Sequence, residues 1–279
     1  MLFAGRTICS SFGARMMQTT GSNFHWLLDA SALTSSEQGS LRQSLQIRWL
    51  YDHVQDEQAM LVGPVLVAPC AVIDQLAERL QADEARSWAA CALHTQVDFG
   101  TLERHLAAQC YLHTHDGQRY FFRYADSRCL VALWPVLSAS QQGALLGPVQ
   151  RWVYTDRQAQ RKAISLNNDA SSNTATRPAT QLRLSNQQLG GLLEATWPDQ
   201  LLCSVSEKQP DIGRSLTPWQ RYACAQRVCD WLLAEQEERY PVQLDMLKRI
   251  LLKASPDWDE AKWLAALKMS HQAGVEACA

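Results

Sequence analysis

Two histidines two residues apart, His113 and His115, have the spacing that a metal site on a β-strand would use. Residues i and i+2 of a strand project from the same face, so both imidazoles could ligate one ion. No carboxylate or thiol completes a metal-ligand motif, because Cys110 and Asp116 are close only in sequence. We therefore predict no metal site here and interpret both histidines as polar surface residues.

Motifs for nucleophilic catalysis and phosphate binding are absent from the sequence. It contains no G-x-S-x-G, no H-E-x-x-H and no glycine-rich phosphate loop. Carboxylate pairs such as Glu237-Glu238 and Asp259-Glu260 fall on predicted helix faces that we expect to be solvated. The sequence therefore favours a protein that is not an enzyme and that needs no cofactor. A hydrolase with a site assembled from scattered residues, such as His113, His115 and Asp126, stays an alternative.

The segment FFRYADSRCL, residues 121–130, contains the charged residues with the clearest pattern. An aromatic strand is predicted to end at Arg123 and Tyr124, and Arg128 opens a predicted helix. Asp126 falls at the N-terminus of that helix, where the helix dipole favours a negative charge. Arg123 and Arg128 could pair with Asp126 or with another chain. The pattern leaves two interpretations open, a structural strand-to-helix corner and a partner-binding surface.

The composition predicts a folded protein that does not bind nucleic acid and has no membrane span. The chain has 279 residues, of which 47% are hydrophobic and 19% charged, and its net charge is -2. A protein that binds the phosphate backbone needs a basic surplus, which this sequence lacks. No stretch approaches the ~18 apolar residues of a membrane span. The nine cysteines are irregularly spaced, which favours reduced thiols in a cytoplasmic protein over a disulfide framework.

The N-terminal half is predicted to form one folded lobe. Residues 1–21 have no apolar periodicity, and we expect a disordered tail, with Met16 and Met17 as alternative translation starts to Met1. Strand and helix patterns then alternate over residues 22–157. This alternation predicts an α/β lobe in which helices pack on a mixed sheet.

Local signals predict the connections and the second lobe. We expect a helix over residues 39–51 and a two-residue hairpin turn at Asp116-Gly117. A small, polar stretch predicts a linker or long loop over residues 158–181. Residues 182–279 predict a smaller, mostly helical lobe, in which residues 200–214 are expected to be mainly loop.

Four segments match, in order, the pattern of a known family. They are LLDA at residues 27–30, GPVLV at 63–67, Asp116-Gly117 with FFRYADSRCL at 121–130, and Gly147-Pro148 with Trp152 and Tyr154. In this arrangement the chain resembles the bacterial type VI secretion effector chaperones, or adaptors, which were first catalogued as a domain of unknown function. The resemblance covers residues 24–154, and Ser127 stands where the family commonly has proline.

The resemblance implies an α/β lobe followed by a variable, mostly helical lobe. It also implies a cytoplasmic, non-enzymatic protein that binds a toxic effector, keeps it soluble and loads it on the VgrG spike protein. Residues in or near the matching segments are then candidate partner contacts, in the order Arg123, Asp126, Arg128, Trp134, Pro148 and Trp152. An immunity protein that neutralises a toxin is the other alternative beside the hydrolase.

Overall fold

The computed structural model describes residues 23–52, 62–165 and 181–277 of the chain. The tail and alternative starts predicted within residues 1–21 lie outside the described residues, as does stretch 166–180 of the predicted linker. The described residues form an α/β lobe followed by a mostly helical lobe, which confirms the predicted fold class.

The described part of the first lobe contains two β-sheets. Their strands are β1 (Asn23–Asp29), β2 (Ile47–Trp49), β3 (Pro64–Val67), β4 (Ala90–Thr95), β5 (Tyr111–Thr114), β6 (Arg119–Phe121), β7 (Val149–Thr155), β8 (Arg161–Ile164) and β9 (Leu182–Leu184). The first sheet has the order β2-β3-β1-β4-β7-β8, and all its neighbouring strands are antiparallel. The second has the order β6-β5-β9, in which β5 runs antiparallel to β6 and parallel to β9.

Several helices begin at capping signals that the sequence contains. The described helices are α1 (Ser35–Leu41), α2 (Ala71–Ala82), α3 (Phe99–Ala108), α4 (Ser127–Leu133), α5 (Ala139–Leu146), α6 (Asn186–Lys208), α7 (Pro218–Ala234), α8 (Tyr240–Lys253) and α9 (Glu260–Ala277). Four of them start with a capping box, whose N-cap residues are Thr34, Ser138, Ser185 and Thr217. Pro218 is the first residue of α7, a position whose N–H has no partner within the helix.

Alternate side chains of β1 enter two different cores. Trp26 and Leu28 pack in the core that includes Leu76 of α2. Leu27, which projects from the other face, packs in a core that includes Leu102 of α3 and the second sheet. Because both faces are covered, the strand reads in the sequence as a continuous apolar run.

The helical lobe has its own core and is joined to the first lobe by α6. Side chains from α6, α7, α8 and α9 meet in this third core, among them Leu201, Val228, Leu247 and Leu267. Helix α6 also contacts α4 and β9 of the first lobe. One helix therefore belongs to the packing of both lobes.

The helix predicted over residues 39–51 is wrong. Helix α1 ends at Leu41, and β2 begins at Ile47 and pairs with β3. Leu45, which supplied the helical spacing, is fully exposed, so this repeat does not mark a buried face. The capping box at Thr34 starts the helix earlier, and β2 then gains hydrogen bonds to the sheet edge.

The loop predicted over residues 200–214 is largely helix. Helix α6 continues through Pro198 as far as Lys208, because Leu201 and Val205 bury their side chains in the third core. Within the predicted linker 158–181, Arg161–Ile164 form strand β8 beside β7. Tertiary contacts outweigh the local signal in both segments.

The predicted hairpin exists, but its loop has three residues rather than two. The Thr114 N–H donates to the Gln118 carbonyl, so residues 115–117 connect the paired positions. Gly117 closes the loop with a φ of +85°, a conformation typical of a three-residue hairpin.

Gly147, which follows α5, lies where only glycine fits. Its φ is +50°, and an added Cβ would overlap the ring of the buried His105, whose Nε2 lies 2.9 Å from the Leu145 carbonyl oxygen. We expect Gly147→Ala to lower the free energy of unfolding by about 2–5 kcal/mol, through backbone strain and overpacking together. Urea denaturation followed by circular dichroism measures this loss.

Gly143→Ala is the matched control, since Gly143 lies within α5 and an added Cβ would meet no atom within 4 Å beyond its chain neighbours and the backbone of its own helix. This substitution should raise the free energy of unfolding by about 0.5–1 kcal/mol, because alanine has the higher helix propensity. Equal effects of the two substitutions would contradict the role assigned to the His105 contact.

Glu237, between α7 and α8, ties this connection to α9. Its carboxylate accepts hydrogen bonds from Arg239 Nε and Nη2, at 2.9 and 2.7 Å, and lies 3.2 Å from His271 Nε2. The hydrogen bond from Arg239 is the main cause that lowers the pKa of Glu237 from 4.5 to about 2. The resulting stabilisation is present above pH 4.5 and is lost as the pH falls towards 2.

We therefore expect Glu237→Gln to reduce the acid sensitivity of the helical lobe. Urea midpoints measured from pH 5 down to pH 2 should fall less steeply for the variant than for the unmodified chain. Parallel pH profiles would show that this carboxylate has the same pKa in the folded and unfolded states.

Candidate functional site

A buried carboxylate, Asp126, organises the corner between β6 and α4. Its Oδ1 accepts hydrogen bonds from the backbone N–H and the Nε of Arg128, both at 2.9 Å. Its Oδ2 accepts a third from Arg128 Nη2 at 2.7 Å. Asp126 is the N-cap of α4 and is only 1% exposed. The same side chain thus starts the helix and holds the guanidinium of Arg128.

A second buried carboxylate, Asp29 at the end of β1, holds the other arginine. Arg123 Nη2 donates to Asp29 Oδ2 at 2.9 Å and to Ser31 Oγ at 2.7 Å, and lies 3.7 Å from Asp126 Oδ2. Burial raises the pKa of Asp29, and the charge of Arg123 opposes that shift. The two arginines and two carboxylates form one network that joins β1 to the corner.

The indole of Trp88 lies against both arginines. The guanidinium carbon of Arg128 is 3.8 Å from the ring centroid, and that of Arg123 is 5.8 Å away. Trp88 Nε1 donates to the Ala85 carbonyl at 2.8 Å, which fixes the ring. The arginine side chains are 32% and 38% exposed, so they form the accessible part of the corner. Stacking on an aromatic ring stabilises a guanidinium in this setting.

The corner forms one wall of a groove between the two lobes. The groove has a volume of about 500 Å³, and its lining includes Arg157 from the turn after β7, Asp199 of α6 and Tyr222 of α7. Arg157 Nη2 pairs with Asp199 Oδ2, and its guanidinium carbon is 3.9 Å from the Tyr222 ring centroid. Burial raises the pKa of Asp199, opposed by the charges of Arg157 and Arg128. The opposite wall of the groove therefore also has an arginine that pairs with a carboxylate and stacks on an aromatic ring.

The structure brings together three of the six predicted contact residues. Arg123, Asp126 and Arg128 converge on the groove. Because Asp126 is enclosed by its own corner, it positions Arg128 and is not itself accessible to a partner, which corrects its prediction as a contact.

The other three predicted residues do not line the groove. Trp152 is fully buried between β4 and β8, so its prediction as a partner contact is wrong. Trp134 is half-buried against the first-lobe core, and its carbonyl accepts from Gln142 Nε2. Pro148 is half-buried, and its carbonyl accepts from Thr95 Oγ1 at 2.8 Å. Aromatic type and motif position alone do not distinguish a core tryptophan from an exposed one.

Sequence reasoning missed most of the groove. Trp88, Arg157, Asp199 and Tyr222 come from four separate segments, and no local motif connects them. Asp29 had a signal, because it ends the apolar strand in the LLDA segment. Its partnership with Arg123 spans 94 positions of sequence and follows only from the fold.

The described residues offer no support for metal or thiolate chemistry. His113 is in β5, but His115 falls in the hairpin loop, so the pair lacks the shared strand face that one ion would need. No group of three or more His, Cys, Asp or Glu side chains among the described residues is arranged to hold a metal ion. Burial raises the pKa of Cys129 to about 12, so this groove thiol is protonated at neutral pH.

Among the described helices, none combines the length and hydropathy needed to cross a bilayer.

The corner lies within the part of the chain that a family model matches. Residues 24–144 match the family model described as a domain of unknown function (DUF4123). Searches of curated proteins and of solved structures found no match. The matched region contains Trp88, Arg123, Asp126 and Arg128 and ends before Arg157. One wall of the groove thus lies within the family region and the other lies outside it.

We expect Asp126→Ala to lower the free energy of unfolding by about 2–4 kcal/mol, because it removes the helix cap and leaves Arg128 without its carboxylate. Asp126→Asn retains an oxygen that can accept the Arg128 N–H, so its loss should be smaller. Urea denaturation of both variants measures the difference.

Asp211→Ala is the control for this experiment. Asp211 pairs with Arg214 at 2.5 Å, but both side chains are largely exposed, so its loss should be within about 1 kcal/mol. If Asp126→Asn is as stable as the unmodified chain, the ion pair is not what stabilises the corner.

Proposed function

We propose that this chain is an adaptor that binds a type VI secretion effector in the cytoplasm, keeps it soluble and transfers it to the VgrG spike. Binding would be stoichiometric, without turnover. The observation that carries the proposal is the groove between the lobes, one wall of which includes residues of FFRYADSRCL, a segment that resembles a motif of the adaptor family. Residues 24–144, which match a domain of unknown function, include this segment.

The composition of the groove favours a protein partner. Its walls present Trp88, Trp219 and Tyr222 together with the guanidinium groups of Arg128 and Arg157. Tryptophan, tyrosine and arginine are the residue types enriched at the energetic centres of protein interfaces. Because these arginines are already paired and stacked, little side-chain freedom would be lost when a partner binds.

Exposed apolar side chains on the helical lobe are consistent with a role in keeping a partner soluble. Leu264 and Met269 of α9 and Leu252 at the end of α8 are 44%, 66% and 71% exposed. Met269 lies about 200° around the helix axis from the buried Leu267, so its side chain belongs to the outer surface of α9. Exposed apolar surface of this kind can cover the sticky segment of an effector.

Affinity purification of the tagged, full-length chain from its native cell, with an active secretion system, tests the proposal. We expect a toxin-like effector to be recovered in near-stoichiometric amount, with VgrG in a sub-stoichiometric amount, and with both identified by mass spectrometry. The same tag on an unrelated cytoplasmic protein is the control for nonspecific capture.

Recovery of the chain alone from such cells would overturn the proposal. Limited proteolysis of the captured complex distinguishes an adaptor from an immunity protein by the segment of the toxin that stays bound. An immunity protein would retain the catalytic end of the toxin, whereas we expect this chain to retain a segment outside it.

A further inference from the structure

We propose that the groove between the lobes binds an extended acidic peptide segment, whose carboxylates pair with Arg128, Arg157 and Arg221. That this segment belongs to the effector rests on the proposed function; the chemistry of the groove does not. The three arginines come from α4, the turn after β7, and α7. A ligand that reaches all of them must follow the groove across both lobes.

Each of these arginines keeps hydrogen-bond donors that the described protein does not use. Arg128 donates through Nε and Nη2 to Asp126, and Arg157 through Nη2 to Asp199. Arg221 donates through Nη2 to Ser206 Oγ at 2.8 Å, while its Nε is buried without a hydrogen-bond partner among the described residues. A guanidinium has five N–H donors, so further donors remain on each side chain.

The carboxylates of the groove, in contrast, are mostly occupied. Asp126 and Asp199 accept from Arg128 and Arg157. Asp156 accepts from two backbone N–H groups of its own turn, at 2.9 and 2.8 Å. Glu84 is the remaining lining carboxylate and is exposed. The four lining arginines and four lining carboxylates cancel in formal charge. The unused hydrogen-bonding capacity is mainly that of the arginine donors, which suits a ligand with carboxylate acceptors.

The rest of the lining favours a peptide over a small phosphate-bearing ligand. Trp88, Trp219 and Tyr222 offer flat aromatic surfaces, and Trp219 stacks on Tyr222 with ring centroids 5.9 Å apart. No glycine is among the described lining residues, so there is no glycine-rich backbone cradle for a phosphate. Apolar side chains of a peptide can lie on the rings while its carboxylates reach the arginines.

The N-terminal segment of the chain does not have the complementary charge. Residues 1–22 contain Arg6 and Arg15 and no carboxylate side chain. This segment would bring further positive charge to side chains that are already cationic. We place the complementary segment, rich in aspartate or glutamate, on another chain.

Selection of a displayed library of random 12-residue peptides on the full-length chain tests this inference. We expect the selected peptides to be enriched in Asp and Glu, with aromatic or aliphatic residues between them. Fluorescence anisotropy then gives their affinities. Replacing the acids of a selected peptide by Asn and Gln should weaken binding about ten-fold or more. Raising the salt concentration from 0.05 to 0.3 M should weaken the binding of the acidic peptide as well.

Variants of one helix locate the binding site. Arg221→Gln should weaken binding about ten-fold or more, and Trp219→Ala should also weaken it. Arg227→Gln is the matched control, because Arg227 is also in α7 but pairs with Glu260 and lies over Trp263, outside the groove. The affinity of the Arg227→Gln variant for the peptide should change less than two-fold. Circular dichroism of each variant verifies that it is folded.

Three outcomes would overturn the inference. They are selected peptides without acidic enrichment, affinities that Arg221→Gln leaves unchanged, and displacement of the peptides by millimolar inorganic phosphate or ATP that itself binds through Arg221. If Arg221→Gln leaves effector capture unchanged, the groove does not bind the effector, although the adaptor proposal still stands. If acidic peptides bind through Arg221 but the chain captures no effector, the groove inference stands and the adaptor proposal is overturned.

Discussion

Two carboxylates without access to water set the main constraint on the first lobe. Asp29 and Asp126 are each 1% exposed, and a buried carboxylate is stable only when charged partners and hydrogen bonds replace its hydration. Arg123 and Arg128 supply them. The end of β1, the start of α4 and the guanidinium groups are therefore fixed relative to one another.

The same network determines what the lobe presents to its surroundings. Since the carboxylates hold the arginines from inside, the exposed parts of the two guanidinium groups and the Trp88 ring form an ordered surface. Ser127 Oγ, which donates to the Thr155 carbonyl at 2.8 Å, fastens the corner to β7. From β7 the chain turns to Arg157, whose contacts with Asp199 and Tyr222 reach the helical lobe. A short chain of contacts thus links the corner to both walls of the groove.

Local signals in the sequence predict the parts of this arrangement that local physics determines. Asp126 was predicted at the start of α4, and the structure places it there as the N-cap. Ser185 and Thr217, which are residue types that favour helix N-caps, begin α6 and α7. The predicted helix over 39–51 was wrong because the exposed Leu45 imitates an amphipathic repeat, and a single sequence does not reveal which apolar residues are buried.

The groove is harder to predict because its parts have no sequence relation to one another. Trp88 stacks on Arg128 from a segment 40 positions away, and Arg157 meets Asp199 across 42. The continuation of α6 through Pro198 depends on packing around Leu201 and Val205, which places Asp199 beside the turn after β7. Periodicity and motif spacing cannot encode such contacts, because they arise from the packing of one lobe on the other.

The division of the groove between two regions of the chain suggests how it would combine a common anchor with selectivity. The wall with Trp88 and Arg128 lies within the family match at 24–144, whereas Arg157, Trp219 and Arg221 lie outside it. Under the proposed function, the first wall would supply preorganised arginines to any acidic segment. The second wall, built on the turn after β7 and on α7, would then set the spacing of carboxylates and the apolar residues accepted between them. Selectivity is a difference between affinities, so changing the second wall alone would change the partner without disturbing the buried network on which the first lobe depends.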